Sequence, residues 1–277
     1  MRQLLLCTDL DRTLIPNGEQ AESPRAKMLF ERLVARDDVT LAYVTGRHQG
    51  LIKQAILEYD LPQPDFAIGD VGTTIYQVSP CGWSSWSAWQ EHLAMSWPLA
   101  TIDLLKSQLQ TFPELTLQEA EKQNRFKLSY YVQFDMDLTR LTQLKSAVQE
   151  RTAQHEFDAN LIWSVDRDNQ VGLLDILPVK ANKLKAIEYL MQRQNFQAND
   201  TMFAGDSGND MDVFRSNIPS VLVANAEPEI KRWAWEHVSK HLYVASGNLC
   251  ELDGNYRAGI LEGACHYWPE VRQLLEN

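Results

Sequence analysis

The chain has no apolar run near the roughly 20 residues needed to cross a bilayer, so no membrane partner is expected. We also expect no secretory leader, because the opening residues Met1 to Leu6 meet Asp9 too early for one. An excess of positive charge is missing as well. There are 26 Lys and Arg against 37 Asp and Glu, a formal net charge of -11. No extended basic face is available for nucleic acid, whereas a small anionic substrate needs only one local positive pocket. The four cysteines, Cys7, Cys81, Cys250 and Cys265, form no Cys-x-x-Cys and no zinc spacing. They read as reduced residues in core or loop positions of a cytoplasmic protein. Of the six histidines only His237 and His241 stand four apart, with no cysteine and no further histidine beside them. A metal, if one is used, is then left to oxygen ligands.

What is present is a repeated alternation. Leu4 to Cys7, Thr40 to Val44, Thr201 to Ala204 and Val221 to Val223 are short apolar runs that stop abruptly in small polar residues. Continuous runs closed by turn residues predict strands buried on both faces. Helical spacing lies between them. Ser23-Pro24 predicts a capped start to a helix through Leu29 and Leu33. Leu51, Ile52, Ala55, Ile56 and Tyr59 make one apolar face, and Leu184, Ile187, Leu190 and Met191 another. The fold class expected is α/β, a doubly wound parallel-sheet (Rossmann-like) core, with ligands at the carboxyl ends of the strands.

From about Pro80 to Gly172 the rhythm breaks. Phe126 to Phe134 alternates loosely, like a strand with one face to solvent. Leu104 to Leu109 and Leu138 to Val148 suggest amphipathic helices, and Leu161 to Val165 and Leu173 to Leu177 further strands. An inserted α+β domain is expected over residues 80–172, with the core built from 1–79 and 173–277.

The strand ends carry the chemistry. Thr8 to Leu14 reads TDLDRTL, with two carboxylates two residues apart past a buried strand. One carboxylate can attack phosphorus, and the other can protonate a leaving oxygen. An Asp-x-Asp is also an ordinary solvated turn, but its companions outweigh that reading. Val44 to Arg47 (VTGR) offers a hydroxyl and the glycine backbone of Gly46 to phosphate oxygens, followed by the amides of a helix start. Lys183 stands near another helix start as a point charge. Gly205 to Asp210 (GDSGND) adds two further carboxylates. Asp9, Asp206 and a backbone carbonyl would form a hard oxygen site of the kind magnesium prefers.

These motifs, in this order, resemble the haloacid-dehalogenase-like phosphatases, with TDLDRT, Thr45, Lys183 and GDSGND at the family's four motif positions. The insertion resembles the α/β cap of sugar-phosphate phosphatases. The stretches RQLLLCTDLDRT, LAYVTGR, PDFAIGDVGTTIY, FKLSYY, ILPVKANKLKA, GDSGND and AGILEGACHYW are similar to the sucrose-phosphate phosphatase family, from Arg2 to Trp268. The resemblance implies a Mg2+-dependent hydrolase of a small-molecule sugar phosphate, most of all sucrose 6-phosphate. Asp9 would be the nucleophile and a metal ligand. Asp11 would be the acid/base and bind metal through its carbonyl. Asp206 would be a ligand, with Asp210 a ligand or its support. Thr45, Gly46, Arg47, Lys183 and Asn209 would hold phosphate, with Asn225 near it. In the cap, Lys127 would contact sugar hydroxyls and Asp175 would stand at the return to the core. A sugar-phosphate synthase is the protein partner it suggests.

The chain departs from the family pattern at two places, Thr74 where a glutamate is expected and Arg12 where an asparagine is expected. Other readings stand beside these. Another glycoside phosphate, such as mannosylfructose or glucosylglycerol phosphate, is the alternative substrate. An inactive partner of a synthase, or a mutase, are the alternative classes. Arg47 is equally suited to a salt bridge, and His48 reads as a helix-start residue. Trp83, Trp86, Trp89 and Trp97 read as packing at the hinge rather than as a sugar platform. Tyr130 and Tyr131 must point to opposite faces of a strand.

Overall fold

In a computed structural model, residues 3–166, 169–237, 239–247, 249 and 251–276 are described. The strands are β1 Leu4–Thr8, β2 Val39–Val44, β3 Phe66–Gly69, β4 Thr74–Ser79, β5 Gly82–Ser85, β6 Thr116–Leu117, β7 Leu128–Gln133, β8 Ala159–Asp166, β9 Val171–Pro178, β10 Thr201–Gly205, β11 Ser220–Leu222 and β12 Leu242–Val244. The helices are α1 Ala26–Val34, α2 Gln49–Glu58, α3 Ser87–Ala94, α4 Thr101–Leu109, α5 Leu138–Ala153, α6 Lys183–Gln194, α7 Met211–Phe214, α8 Pro228–Glu236, α9 Tyr256–Tyr267 and α10 Pro269–Glu276.

The larger sheet runs β12-β11-β10-β1-β2-β3-β4-β5. Its strands from β12 to β3 are parallel, and β4 and β5 add an antiparallel edge. This is the doubly wound α/β core expected from the alternating runs. Every residue of β1, β3, β10 and β11 is buried, which is why those strands are continuous apolar runs rather than alternating ones. The chain winds outward from β1 through β2 and β3, then resumes on its other side with β10. The switch point therefore lies at the carboxyl end of β1, where a doubly wound sheet leaves its crevice.

Helices cover both faces of that sheet. On α9, Gly259 and Gly263 lie one turn apart, and a Cβ on Gly263 would stand 2.6 Å from Val221. The helix thus seats its glycine face directly on β11. The first helix begins later than its sequence suggests. Its N-cap is Arg25, without a side-chain cap. The Ser23 hydroxyl accepts instead from the Asp253 amide at 2.9 Å, so a tertiary contact displaces the predicted cap.

The smaller sheet runs β6-β7-β9-β8 and is antiparallel throughout. Helices α4 and α5 pack on each other beside it. The stretch expected to be a solvent-facing strand is instead mostly buried as β7, because helices cover one face and the core approaches the other. The expected domain divisions at 80 and 172 fall within continuous structure. Strand β5 joins the larger sheet beyond the first, and β9 crosses the second as one strand.

The tryptophans pack. Trp89 and Trp97 are buried, and Trp89 donates to the Gly72 carbonyl at 3.1 Å and Trp97 to that of Asp158 at 3.3 Å. Trp86 meets Phe66 and Tyr189 edge-on, and Trp83 lies against Tyr76. Cys7 and Cys81 are free thiols, and Cys250 lies outside the described residues. Among the described residues no helix is long and apolar enough to cross a membrane.

Candidate active site

A cavity of about 850 Å³ opens between the carboxyl ends of the parallel strands and the face of the smaller sheet, within the size range of small-molecule sites. Its floor includes Asp9, Asp11, Thr45, Gly46, Arg47, Asp206, Ser207 and Asn209. Its opposite wall follows the two-residue period of the small sheet. On β9, Val171, Leu173 and Asp175 face the cavity, while Leu174 and Ile176 are fully buried on the other side. On β7 the same period puts Tyr131 in the cavity and buries Tyr130, as their adjacency requires.

Asp9 follows β1 directly, and its amide continues the ladder to the Ala204 carbonyl at 2.8 Å. One carboxylate oxygen accepts from the Leu10 amide at 2.7 Å. The other lies 3.0 Å from the Lys183 ammonium. Lys183 is the first residue of α6, positioned by Asn182, whose side chain caps that helix. The same ammonium lies 2.7 Å from Asp210. Asp210 is held at its second oxygen by the amides of Asp206 and Ser207, each at 3.1 Å.

Asp9, Asp206 and Asp210 each present a carboxylate oxygen within 4.8 Å of one another, all buried. Among the described residues, two cations pair with them, Lys183 and the Arg12 guanidinium, whose Nε is 3.3 Å from Asp206. Burial, opposed in part by Lys183, pushes the Asp9 carboxyl up to about 7, with Asp210 and Asp11 adding to the rise. Burial, with Asp9 and Asp210 beside it, pushes Asp206 well above the ordinary carboxylate range. For Lys183, burial works against the charge, but Asp210 and Asp9 outweigh it and hold the ammonium above its ordinary value. An all-oxygen cluster with uncompensated negative charge fits a hard divalent cation. Asp9 and Asp206 line the cavity and Asp210 does not, so the first two are the better placed to hold it. The Thr13 hydroxyl, 3.3 Å from Asp206, orients the second of these.

Asp11 is placed differently. Arg47 grips its carboxylate with two hydrogen bonds, at 2.8 and 2.6 Å, and Asn17 adds a third at 2.9 Å. Burial opposes these bonds, but Arg47 and Asn17 together keep the carboxyl below its usual range. Of the two roles open to Arg47, the salt bridge is the one present here. Arg47 and Asp11 remain partly exposed, at 22% and 40%, so the pair is worth on the order of 1 kcal/mol. Breaking the buried Lys183–Asp210 pair would cost about 3–5 kcal/mol. The first ion pair can therefore exchange when an anion arrives, and the second cannot.

Thr45 closes β2, buried at the cavity edge, and its hydroxyl accepts from the Arg47 amide at 3.2 Å. Gly46 has ordinary backbone angles, and the nearest atom to a Cβ there would be Val71 Cγ2 at 3.8 Å. His48 caps α2, accepting from the Gly50 amide. Asn209 faces the cavity. Asn225 does not. Its amide donates to the Arg12 carbonyl at 2.6 Å and accepts from the Tyr256 amide at 2.8 Å, pinning the left-handed turn at Arg12.

Lys127 and Asp175 both reach the cavity from the smaller sheet's side. Asp175 accepts from the Ser129 hydroxyl, and Lys127 pairs with Asp70 at 3.2 Å. Asp70, Thr13, Asn17 and the Arg12–Asp206 contact were not singled out from the sequence. Asp70 carried the same signal as Asp9 and Asp206, a carboxylate just past a buried apolar run.

The sucrose-6F-phosphate phosphohydrolase family model matches residues 2–268. A putative HAD-like hydrolase of Nitrosococcus oceani is 49% identical over all of this chain and 75% of its own length. Sucrose-phosphatase 2 of Nicotiana tabacum is 32% identical over 95% of this chain, which spans 59% of that longer protein. Among solved structures, the sucrose-phosphatase of Synechocystis sp. PCC6803, in complex with sucrose and phosphate, superposes with a TM-score of 0.79. It is 29% identical, and the match covers 96% of this chain and 98% of that one.

Proposed function

The chain belongs to the sucrose-6F-phosphate phosphohydrolase family, a family of phosphoric monoester hydrolases within the HAD-like fold, and on that premise we propose that it hydrolyses a sugar phosphate through an aspartyl-phosphate on Asp9. The observation that carries this reading is the buried floor, where Asp9, Asp206 and Asp210 cluster and Lys183 pairs with the first and the last beneath the cavity.

The Asp9 carboxylate at the cavity floor is suited to attack on phosphorus, forming a mixed anhydride as the sugar oxygen departs. Asp11, once protonated from solvent, donates that proton to the oxygen, then takes one from the water that attacks phosphorus and regenerates the Asp9 carboxylate. To do so Asp11 must leave Arg47, and an incoming phosphoryl group, a better partner for the guanidinium fork, is what releases it. Thr45, Gly46, Lys183 and Asn209 surround the phosphoryl oxygens. Magnesium, held by Asp9 and Asp206 with Asp210 behind them, supplies charge neutralisation between carboxylate and phosphate.

Sucrose 6-phosphate is the substrate we propose, supported by the tobacco and Synechocystis relatives. The small sheet and its helices act as the cap that selects the sugar. Retention of both Asp9 and Asp11 argues against an inactive module. We place the protein in the cytoplasm on the free thiols of Cys7 and Cys81, with a sugar-phosphate synthase as the supplier of its substrate. The test is turnover with magnesium of sucrose 6-phosphate, mannosylfructose phosphate, glucosylglycerol phosphate and glucose 6-phosphate. Sucrose 6-phosphate should give the highest kcat/KM. A tenfold lead for any other would overturn the substrate, and isomerised sugar phosphate without free phosphate would overturn hydrolysis.

A further inference from the structure

Asp70 closes β3 as Asp9 closes β1, but its carboxylate turns toward the smaller sheet. One oxygen lies 3.2 Å from the Lys127 ammonium, in a pair whose side chains are only 5% and 6% exposed. The other accepts from the Thr74 hydroxyl at 3.1 Å. Thr74 is the position where the family resemblance leads to a glutamate, so a carboxylate missing at 74 is present four residues earlier, tethered to the very side chain that replaced it.

The backbone that presents Asp70 is unusual. Asp70 and Val71 both have positive φ, 52° and 59°, a costly conformation for a β-branched residue. Its surroundings hold it there. The Asp70 amide donates to the Arg47 carbonyl at 3.0 Å and the Val71 amide to that of Thr45 at 3.1 Å. Gly72, at φ 97°, has no room for a side chain, since a Cβ would stand 2.3 Å from the Asn182 carbonyl oxygen. The Thr73 hydroxyl accepts from Asn124, beyond the small sheet's edge, at 2.9 Å. One strained turn thus touches the Thr45–Arg47 loop, the start of α6 and the cap.

Lys127 and Asp175 line the cavity, and Asp70 does not. An ammonium on a flexible four-carbon stem recognises a hydroxyl only if its direction is fixed. We propose that Asp70 is a positioning residue for sugar recognition. It holds the Lys127 ammonium against the cavity wall, supplying from position 70 the carboxylate expected at position 74. Lys127 keeps N–H donors for sugar hydroxyls, and Asp175 stands beside it as an acceptor. The inference rests on the sugar-phosphatase reading and names a determinant of its specificity.

The experiment compares wild type, Asp70→Asn and Asp70→Asn/Thr74→Glu on sucrose 6-phosphate and on nitrophenyl phosphate, which has no sugar. Asp70→Asn should lower kcat/KM for the sugar phosphate by about tenfold or more, mainly through KM. Nitrophenyl phosphate should change by less than about threefold, which also reports an intact fold. The double variant, with its carboxylate returned to 74, should recover most of the loss. Equal losses on both substrates would reduce the pair to a clamp between cap and core and overturn the proposal, as would an unchanged KM for the sugar phosphate. If Asp70→Asn does not fold, Asp70→Ser/Thr74→Glu decides, with sugar selectivity kept supporting the proposal and lost overturning it. Wild type that hydrolyses nitrophenyl phosphate but no sugar phosphate has a different signature, and it overturns the functional reading itself.

Discussion

The floor and the wall of the cavity are built on opposite principles. The floor is ionic and dry. Asp9, Asp206, Asp210 and Lys183 are each at most 4% exposed, and every one is tied to backbone or to another charge. The wall is polar and mixed, with neutral groups such as Thr116, Gln118, Tyr131, Ser164 and Asn169 beside the charges of Lys122, Lys127, Asp166 and Asp175, several of them half open to solvent. Desolvated charges whose positions are fixed suit a reaction at phosphorus, which needs electrostatic complementarity set before the substrate arrives. Neutral hydrogen-bonding groups on a separate sheet suit a sugar, whose many hydroxyls are told apart by which of them find partners. Changes on the floor should therefore remove chemistry for every substrate, and changes on the wall should alter only the choice of sugar.

The largest effect should come from Asp9→Asn, with turnover of both sucrose 6-phosphate and nitrophenyl phosphate falling by roughly 10⁴-fold or more. The fold should survive. A carboxyl pushed up to about 7 by burial is a destabilising charge without its cation, so the Tm of chelated Asp9→Asn at pH 8 should equal or exceed that of wild type. A fall of several degrees would show that Asp9 is needed for folding as well as for chemistry. Asp11→Asn comes next, at about 10²–10⁴ in rate. Its penalty should be smaller for nitrophenyl phosphate, whose leaving group needs no proton. Equal penalties would mean that Asp11 serves the hydrolysis of the intermediate or the metal instead.

The metal should couple to pH across the floor but not the wall. The chelated protein gains stability from protonated Asp9 at low pH, since its folded pKa lies above the unfolded one, and loses that contribution as pH rises through about 7. A cation must displace the proton below that point, and burial raises Asp206 as well, so apparent magnesium affinity should fall by about tenfold or more per pH unit under 7. Calorimetric titration at pH 5.5, 6.5 and 8 checks this, and a flat affinity would contradict the assignment of Asp9 as a ligand. On the wall, Tyr131→Phe removes one neutral hydroxyl, worth about 1 kcal/mol. The KM for sucrose 6-phosphate should rise about fivefold, with nitrophenyl phosphate unaffected. A matching rise for nitrophenyl phosphate would mean that the hydroxyl acts on the floor.

The same contrast explains what the sequence could disclose. Floor residues sit immediately after buried strands, and a continuous apolar run that ends in Asp is legible without coordinates; Asp9 and Asp206 were found that way. Lys183 was legible from its helix start. The Arg47–Asp11 pair was left open because a guanidinium fork suits phosphate and carboxylate alike, and only the spacing of β1 and β2 decides. Asn225 misled because an amide near a phosphate loop looks the same whether it faces ligand or fixes a turn. The wall was harder still. Its residues come from the four strands β6 to β9, whose pairing, and hence which face meets the cavity, depends on tertiary contacts that no local pattern encodes. The β4–β5 edge went unread for the same reason, its exposed hairpin lacking the apolar run that marked the buried strands. Asp70 had the floor's signal but serves the wall, and the left-handed turn that redirects it is invisible in the letters Asp-Val-Gly.

The central claim, that phosphorus passes through Asp9, is tested most directly by trapping. Enzyme mixed with labelled sucrose 6-phosphate and magnesium is quenched in acid within one turnover, digested and mapped by mass spectrometry. The account predicts phosphate on the peptide carrying Asp9, labile to hydroxylamine and absent from Asp9→Asn. Turnover with no phosphoenzyme at any time point, or a phosphorylated residue other than Asp9, would contradict it.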